Sequence, residues 1–509
     1  MSGSAVLQPS DTRTLVAVDL GAESCRVSLL RWQSGKPSIT LVHRFANAPR
    51  VADGGLRWDL AMIEAGLDNG LRRCAELAGE AIRSIAVDGW AVDYVRLNAK
   101  GEPLADPFCY RDERTIEAER SLHRKISPER LRELTGVQLL RINTLYQLHA
   151  DVLQGASKDS FWLNLPEYIL SRWGGEPVAE FTNATHTGMV ALDSRQWCPE
   201  IFTAAGADIK LAPRLVPPGT ILGKLHGPLA ELPAFRDTAL IAPACHDTAS
   251  AVAGIPADES DWGYISSGTW SLVGTLLEQP CVSKAAAAEN FTNLGAVGGK
   301  ICFHKNVNGM WLIRQCIEQW SAEGHTWSVP ELVAAAEKVA RPEGYLEVDD
   351  PELMLSGQMP QRMNAQRVRK GFAPLDESPE GAPAFTSLIF HSLAKRYAEV
   401  LDRVAVHSSR KLKRLFVVGG ASQNEFLNRL TREATGLDVV RGPVESSTVG
   451  NFAVQMAALE DGCADANAVA CWAAFLQSSQ VRGTLPPVLK YQSIRNKRLS
   501  LVPGTGPNS

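Results

Sequence analysis

At about 150 residues per domain, the 509-residue chain has room for two to four domains. Its 45% hydrophobic and 21% charged content is ordinary for a globular protein, and 52 basic against 56 acidic residues (net charge −4) argue against a nucleic-acid partner. No apolar run approaches the ~18 residues of a membrane span, and Met1–Thr12 lacks a charged-then-apolar leader, so a cytoplasmic protein with no membrane partner is expected, as a monomer or small homo-oligomer.

The N-terminal half opens on short apolar runs. Leu15–Asp19, Arg26–Trp32 and Ser38–Phe45, separated by turn residues such as Gly35 and Pro37, predict an antiparallel meander. A helix over Leu60–Gly79, a strand over Ser84–Asp88 and a return strand over Val92–Leu97 follow, which together point to an α/β domain. The C-terminal half repeats the pattern. Trp262–Ser266 and Trp270–Leu276 are predicted strands joined tightly by Ser267, Gly268 and Thr269. The segments Asp19–Leu30 and Ser266–Leu277 form a faint internal repeat, which suggests two similar lobes facing a cleft. Ile389, Leu393, Tyr397, Val400, Leu401 and Val404 recur at helical spacing. A strand at Leu415–Val418 then leads through Gly419 and Gly420 to a helix over Asn424–Ala434. Tyr345–Glu380, rich in Pro, Gly and charge, is expected to be surface excursions, and the basic runs Arg410–Arg414 and Arg495–Arg498 to be solvated faces.

The ten cysteines form neither CxxC pairs nor ligand-spaced clusters, so free thiols and no zinc site are expected. Cys25 and Cys245 lie inside motifs, where they are read as small neighbours and not nucleophiles.

Four segments carry candidate chemistry. Asp19-Leu20-Gly21-Ala22-Glu23-Ser24-Cys25-Arg26 ends a strand in an acid and continues into a small-residue turn. Backbone amides in such a turn can form an anion nest, and Asp19 could hold Mg²⁺ through water. Ser266-Ser267-Gly268-Thr269-Trp270-Ser271 offers the same chemistry, so one nucleotide could bridge the two turns. Either turn by itself also suits an ordinary hairpin. Val418-Gly419-Gly420-Ala421-Ser422-Gln423-Asn424 lets a flat ring or a phosphate approach the backbone, yet it is neither a P-loop nor a dinucleotide fingerprint. It equally suits a plain strand-to-helix turn. Cys245-His246-Asp247-Thr248-Ala249-Ser250 sits at the junction of the halves. Its Asp could accept a hydroxyl proton, or could simply cap a helix.

In this order and separation the four segments resemble the FGGY carbohydrate kinases of the actin-like ATPase superfamily, and among them those acting on L-rhamnulose. Asn143-Thr144-Leu145-Tyr146-Gln147-Leu148, Thr182-Asn183-Ala184-Thr185 and Gly442-Pro443-Val444-Glu445 extend the resemblance, which covers about Thr14 to Ala458. It implies two actin-like (ribonuclease H-like) lobes with a central cleft: a sugar-binding lobe over 13–245, a nucleotide-binding lobe over 246–495, and a frayed tail over 496–509. It implies ATP and Mg²⁺ as cofactors, with Asp19 toward the metal. It further implies Asp247 as the base, and Ala91, His246, Thr248 and Asn306 as contacts to the sugar. Ala22, Glu23, Ser24, Cys25, Arg26 and Thr269 would hold the phosphates, with Arg314 and Gly420 beside the nucleotide. The implied reaction phosphorylates L-rhamnulose to the 1-phosphate in L-rhamnose breakdown.

Four positions depart from the family pattern. Cys25 stands where glycine is familiar, and a Cβ would be costly there if the backbone needs φ > 0. Asp88-Gly89-Trp90-Ala91 carries its glycine at 89 instead of 91. Arg314 replaces a glutamine, and Ala421 the third glycine of its turn. An Asp near its ordinary pKa of about 4 would serve as base, because proton abstraction comes late in phosphoryl transfer. Competing expectations are a kinase for another ketose or deoxysugar (L-fuculose, L-ribulose, D-xylulose), an actin-like protein-binding ATPase, and a sugar binder without catalysis.

Overall fold

The computed structural model describes residues 8–78, 81–156, 160–257 and 260–478. The first sheet comprises β1 (Thr14–Leu20), β2 (Ser24–Gln33), β3 (Lys36–Ala46), β4 (Ile82–Gly89), β5 (Thr220–Lys224) and β6 (Ala239–Ala242), in the order β5-β6-β4-β1-β2-β3. β1, β2 and β3 form the expected antiparallel meander, whereas β1, β4 and β6 run parallel. All seven residues of β1 are buried, as a strand covered on both faces requires.

A second sheet is built from β7 (Trp262–Ser267), β8 (Trp270–Leu277), β9 (Thr292–Gly295), β10 (Ile301–Asn308), β11 (Arg414–Val418) and β12 (Asp438–Arg441), in the order β9-β10-β8-β7-β11-β12. β7, β8 and β10 are antiparallel, and β7, β11 and β12 parallel. Five strands therefore follow one plan in both sheets, β3-β2-β1-β4-β6 matching β10-β8-β7-β11-β12. The faint repeat of two hairpins is the visible trace of this plan.

Helix α1 (Leu60–Ala78) covers the first sheet, burying Ile63, Leu67 and Leu71. The hinge helix α2 (Asp247–Ala253) connects the sheets. In the second lobe, α3 (Trp311–Ala322), α4 (Ala382–Ser408) and α5 (Glu425–Thr435) build a core around Trp320, Phe385, Leu393 and Tyr397. All six apolar residues predicted to share a helix face are buried in α4. Two late helices, α6 (Ser446–Met456) and α7 (Ala466–Gln477), return to the first sheet, where Phe452, Met456 and Trp472 pack with Leu15, Ala17 and Leu30. Ser84 Oγ donates to Gln455 Oε1 (2.6 Å), and Gln455 Nε2 donates to the Val16 carbonyl (3.0 Å), which ties α6 to β4 and β1.

Three expectations are corrected. The return strand begins at Tyr94, not Val92, and pairs with Phe161–Asn164 outside the main sheet. Val92 has φ +75°, a left-handed conformation that breaks a strand and is strained for a β-branched side chain. Tyr345–Glu380 is not merely surface: Leu346, Val348, Leu353, Met359 and Met363 are buried in the second core, the last two on a helix over Met359–Arg369. Few apolar residues suffice there because each is fully inserted. Within the first basic run, Arg410 is no solvated cation, since its Nη1 donates to the carbonyls of Ser260 and Leu276. The second run and the tail lie outside the described residues.

Candidate active site

Every motif falls at the C-terminal end of a parallel strand, where open α/β sheets place their ligands. β1 delivers Asp19, β4 delivers Asp88, and β6 leads into Cys245, His246 and Asp247. Asp19 and Asp88 are cross-strand partners. The Trp90 amide donates to the Leu20 carbonyl (3.0 Å) and the Gly89 amide to the Cys245 carbonyl (2.9 Å), which stitches the three segments together. A Cβ at Gly89 would come within 2.6 Å of the Leu20 Cβ, so this close approach explains the glycine at 89. Ala91 is buried and keeps an ordinary φ, so its methyl group is accommodated.

Asp247 is the first residue of α2, with His246 in the cap position, so it is not the side-chain cap that its residue type also allowed. Its side chain keeps 38% of its surface open, His246 Nε2 lies 3.2 Å from Oδ1, and Thr248 Oγ1 donates to the same oxygen (3.2 Å). Burial between the lobes raises its carboxyl to about 6, above the ordinary value expected from the sequence, although the Thr248 bonds and Arg26 pull it down. Burial likewise depresses His246 to about 3, so it is a neutral imidazole.

Asp19 meets Arg26 Nη1 (3.2 Å) and accepts from Ser447 Oγ (3.1 Å). Burial raises it to about 6, with Arg26 lowering it and the charge of Asp247 raising it. Asp88, fully buried, accepts from Asn451 Nδ2 (2.6 Å), while its Oδ1 has no hydrogen-bond partner among the described residues. Burial, and then the charge of Asp19, pushes it well above the usual carboxylate range. Three carboxylates and Arg26 thus share one field. Among the described residues, no three His, Cys, Asp or Glu side chains stand close enough to cage a metal. Asp19 and Asp88, at matching ends of β1 and β4, offer the carboxylate oxygens that a hard cation such as Mg²⁺ takes.

The first turn spans Gly21–Glu23, and β2 begins at Ser24. Cys25 is fully buried within β2, at an ordinary φ, in the first core. The feared backbone cost therefore does not arise, and its thiol, raised to about 12 by burial, is inert. Cys245 is equally buried, and all ten cysteines are free. Ala22 and Glu23 remain in the turn, and Arg26 lies in β2 with its guanidinium against Asp19. Glu23 pairs with Arg314 on α3, so two positions assigned to the nucleotide meet across the lobes. Arg26 also lies 3.6 Å from Glu445.

Thr269 lies in the β7–β8 turn, where its carbonyl accepts from the Trp311 amide (3.1 Å). Gly419 packs against Ser267, and Gly420 opens a short 3₁₀ turn. Asn306, on β10, donates to Gln138 Oε1 (3.1 Å) from the other lobe. Sequence reasoning missed Asp88, Glu445, Ser447 and Asn451. Asp88 ends an apolar strand as Asp19 does, and that signal could have found it. The other three only gain meaning once α6 folds back on the first sheet.

Residues 14–254 match the FGGY family of carbohydrate kinases, N-terminal domain, and residues 263–459 match the C-terminal domain of the same family. The chain is 37% identical over 454 residues to a rhamnulokinase of Enterococcus faecalis, a match covering 88% of this chain and 90% of that one. It is 35% identical over 445 residues to a rhamnulokinase of Bacteroides thetaiotaomicron (86% and 89%). In fold it is similar to a xylulose kinase from Lactobacillus acidophilus (TM-score 0.73, 15% identity, 96% of this chain and 99% of that one). It is also similar to Plasmodium falciparum glycerol kinase (TM-score 0.69, 13% identity, 96% of each). The chain therefore belongs to the FGGY family of carbohydrate kinases, enzymes with two actin-like lobes that phosphorylate a sugar with ATP.

Proposed function

We propose that this sugar kinase transfers the γ-phosphoryl group of ATP to L-rhamnulose, giving L-rhamnulose 1-phosphate in L-rhamnose breakdown, with Asp247 as the base. The acceptor is supported by near full-length identity to relatives named rhamnulokinase. The observation that carries the mechanism is the open Asp247 carboxylate beside Asp19, Asp88 and Arg26. We take the sugar lobe as 13–245 and the nucleotide lobe as 246–495, with the division just ahead of the hinge helix.

Phosphoryl transfer passes through a loose transition state, so the protein mainly positions groups and neutralises charge. The two turns at Ala22–Arg26 and Thr269 hold the phosphates, Arg314 and Gly420 flank the nucleotide, and Arg26 faces the developing negative charge. Asp19 would hold Mg²⁺, which when bound would supply further charge neutralisation. His246, Thr248, Asn306 and the backbone at Ala91 orient the sugar. Neutral His246 and Thr248 keep the Asp247 carboxylate aimed at the acceptor hydroxyl, whose proton it takes late.

A coupled ADP-release assay over L-rhamnulose, L-fuculose, L-ribulose and D-xylulose tests the reading. L-rhamnulose should show the highest kcat/KM, and a clear preference for any other sugar rejects it.

A further inference from the structure

His246, 3.2 Å from Asp247, packs against His186, and a third imidazole, His304, stands near enough for the His246 ring to depress it. His186 follows a short helix over Phe181–Thr185, His246 caps α2, and His304 lies on β10. The rings of His186 and His246 stand 3.8 Å apart, centroid to centroid, with planes inclined by 45°. His304 Nδ1 pairs with the Tyr264 hydroxyl at 2.9 Å. Burial holds all three neutral, and the His246 and His304 rings further depress His186, as expected for close neighbours.

The far nitrogens, Nε2 of His186 and Nε2 of His304, are buried with no hydrogen-bond partner among the described residues. Unpaired buried polar atoms are costly, and native proteins keep few of them away from functional sites. Their setting points to the acceptor side. The His186 carbonyl accepts from Asn143 Nδ2 (2.9 Å), and the adjacent Thr144 Oγ1 donates to the carbonyl of strained Val92 (2.7 Å), the residue after Ala91. His304 precedes Asn306 by two residues, so both side chains leave the same face of β10. A metal is not the reading, because the described residues contain no metal-spaced triad. A neutral imidazole nitrogen donates or accepts according to tautomer, and a hydroxyl group satisfies either.

We infer that His186 and His304 are specificity-determining residues of the acceptor pocket, their free Nε2 atoms taking hydroxyl groups of a polyhydroxylated ketose. The inference rests on the acceptor site proposed at Asp247.

Asparagine places its amide nitrogen near the histidine Nδ1 position and glutamine near Nε2, so the two substitutions separate the roles. Steady-state kinetics with the four sugars, and titration calorimetry of sugar binding, would be run on full-length H186N, H186Q, H304N and H304Q. The Asn variants should raise acceptor KM about tenfold or more, and the Gln variants should recover most of it, with ATP KM within about twofold throughout. A purely structural role through Tyr264 predicts the reverse order at position 304, with Gln the worse. Asn variants with native acceptor KM and Kd, or Gln variants weaker than Asn, overturn the inference. Should an Asn variant fail to melt cooperatively, the Gln variant of that position decides, since sugar binding lost there also overturns it. If the wild type prefers another sugar, the L-rhamnulose reading falls and the Asn–Gln contrast is scored on that sugar. If calorimetry shows no sugar bound by the wild type, both fall.

Discussion

Asp247 works as a base only when ionised, and its surroundings raise its carboxyl to about 6. Below that value it holds a proton and cannot accept another, and Asp19, also raised to about 6, loses its charge in the same window. The sign is therefore fixed: kcat/KM should climb as pH rises through about 6 and level off above about 7. A profile flat down to about pH 5 would contradict the assignment. Asp247→Asn should fold like the wild type while kcat drops roughly 10²- to 10⁴-fold, the usual share of a general base. Near-native turnover by that variant would remove Asp247 from the mechanism. Gly420 offers a different probe, because a Cβ built there meets nothing within 4 Å and its φ is ordinary. Gly420→Ala should leave the melting temperature unchanged and raise the KM for ATP, since only a bound nucleotide would crowd the methyl. An unchanged ATP KM would place the adenosine elsewhere. Asp19, Asp247 and the glycine turns were legible because each interrupts an apolar strand with a polar or small residue. The strain at Val92 was not, because the groups that hold its carbonyl, Thr144 and Gln147, lie far along the chain.

Helices α2 and α6 cross with almost no space between them. A Cβ on Gly450 would fall 1.8 Å from the Ser250 carbonyl oxygen, and one on Gly254 would fall 2.5 Å from that of Ser446. Backbone cannot yield as a flexible side chain can, so the helices would have to separate. Gly450→Ala should cost about 3 kcal/mol, at the upper end for overpacking, and lower the melting temperature by several degrees. Asn451, next along α6, would shift with it, and with it the bond to Asp88, so activity should fall as well. Wild-type melting and turnover would show that the helices tolerate separation. The amphipathic α4 was readable from its spacing because one face meets one core. Helix α6 is buried on nearly all sides, and so presents no such stripe.

Helices α6 and α7, though late in the chain, cover one face of the first sheet. Leu15, Ala17 and Leu30 on β1 and β2 are covered by Phe452, Met456, Trp472 and Leu476. A fragment ending at residue 254 would expose that face and strip Ser84 of its bond to Gln455. Such a fragment should lack a cooperative melt by circular dichroism, and co-expression with the remainder should restore it. Cooperative unfolding of the isolated fragment would show that the first lobe needs no cover. The same return path carries Glu445, Ser447 and Asn451 to Arg26, Asp19 and Asp88. Closure of the lobes on substrate would then exclude water from a site that both halves of the chain build.

From the sequence alone came a faint repeat of two hairpins, the order of four glycine- and acid-bearing turns, and the family they resemble. These are local features, set by apolar periodicity and by the small residues a tight turn requires. Only the tertiary structure decided which polar groups share a field. Asp88 and Asp19 became neighbours through parallel pairing, Ser447 and Asn451 through a helix more than 350 residues later, and His186 and His246 through two unrelated segments. The raised carboxyl of Asp247 has the same origin, because burial between two lobes is a property of their packing and is written in no single segment.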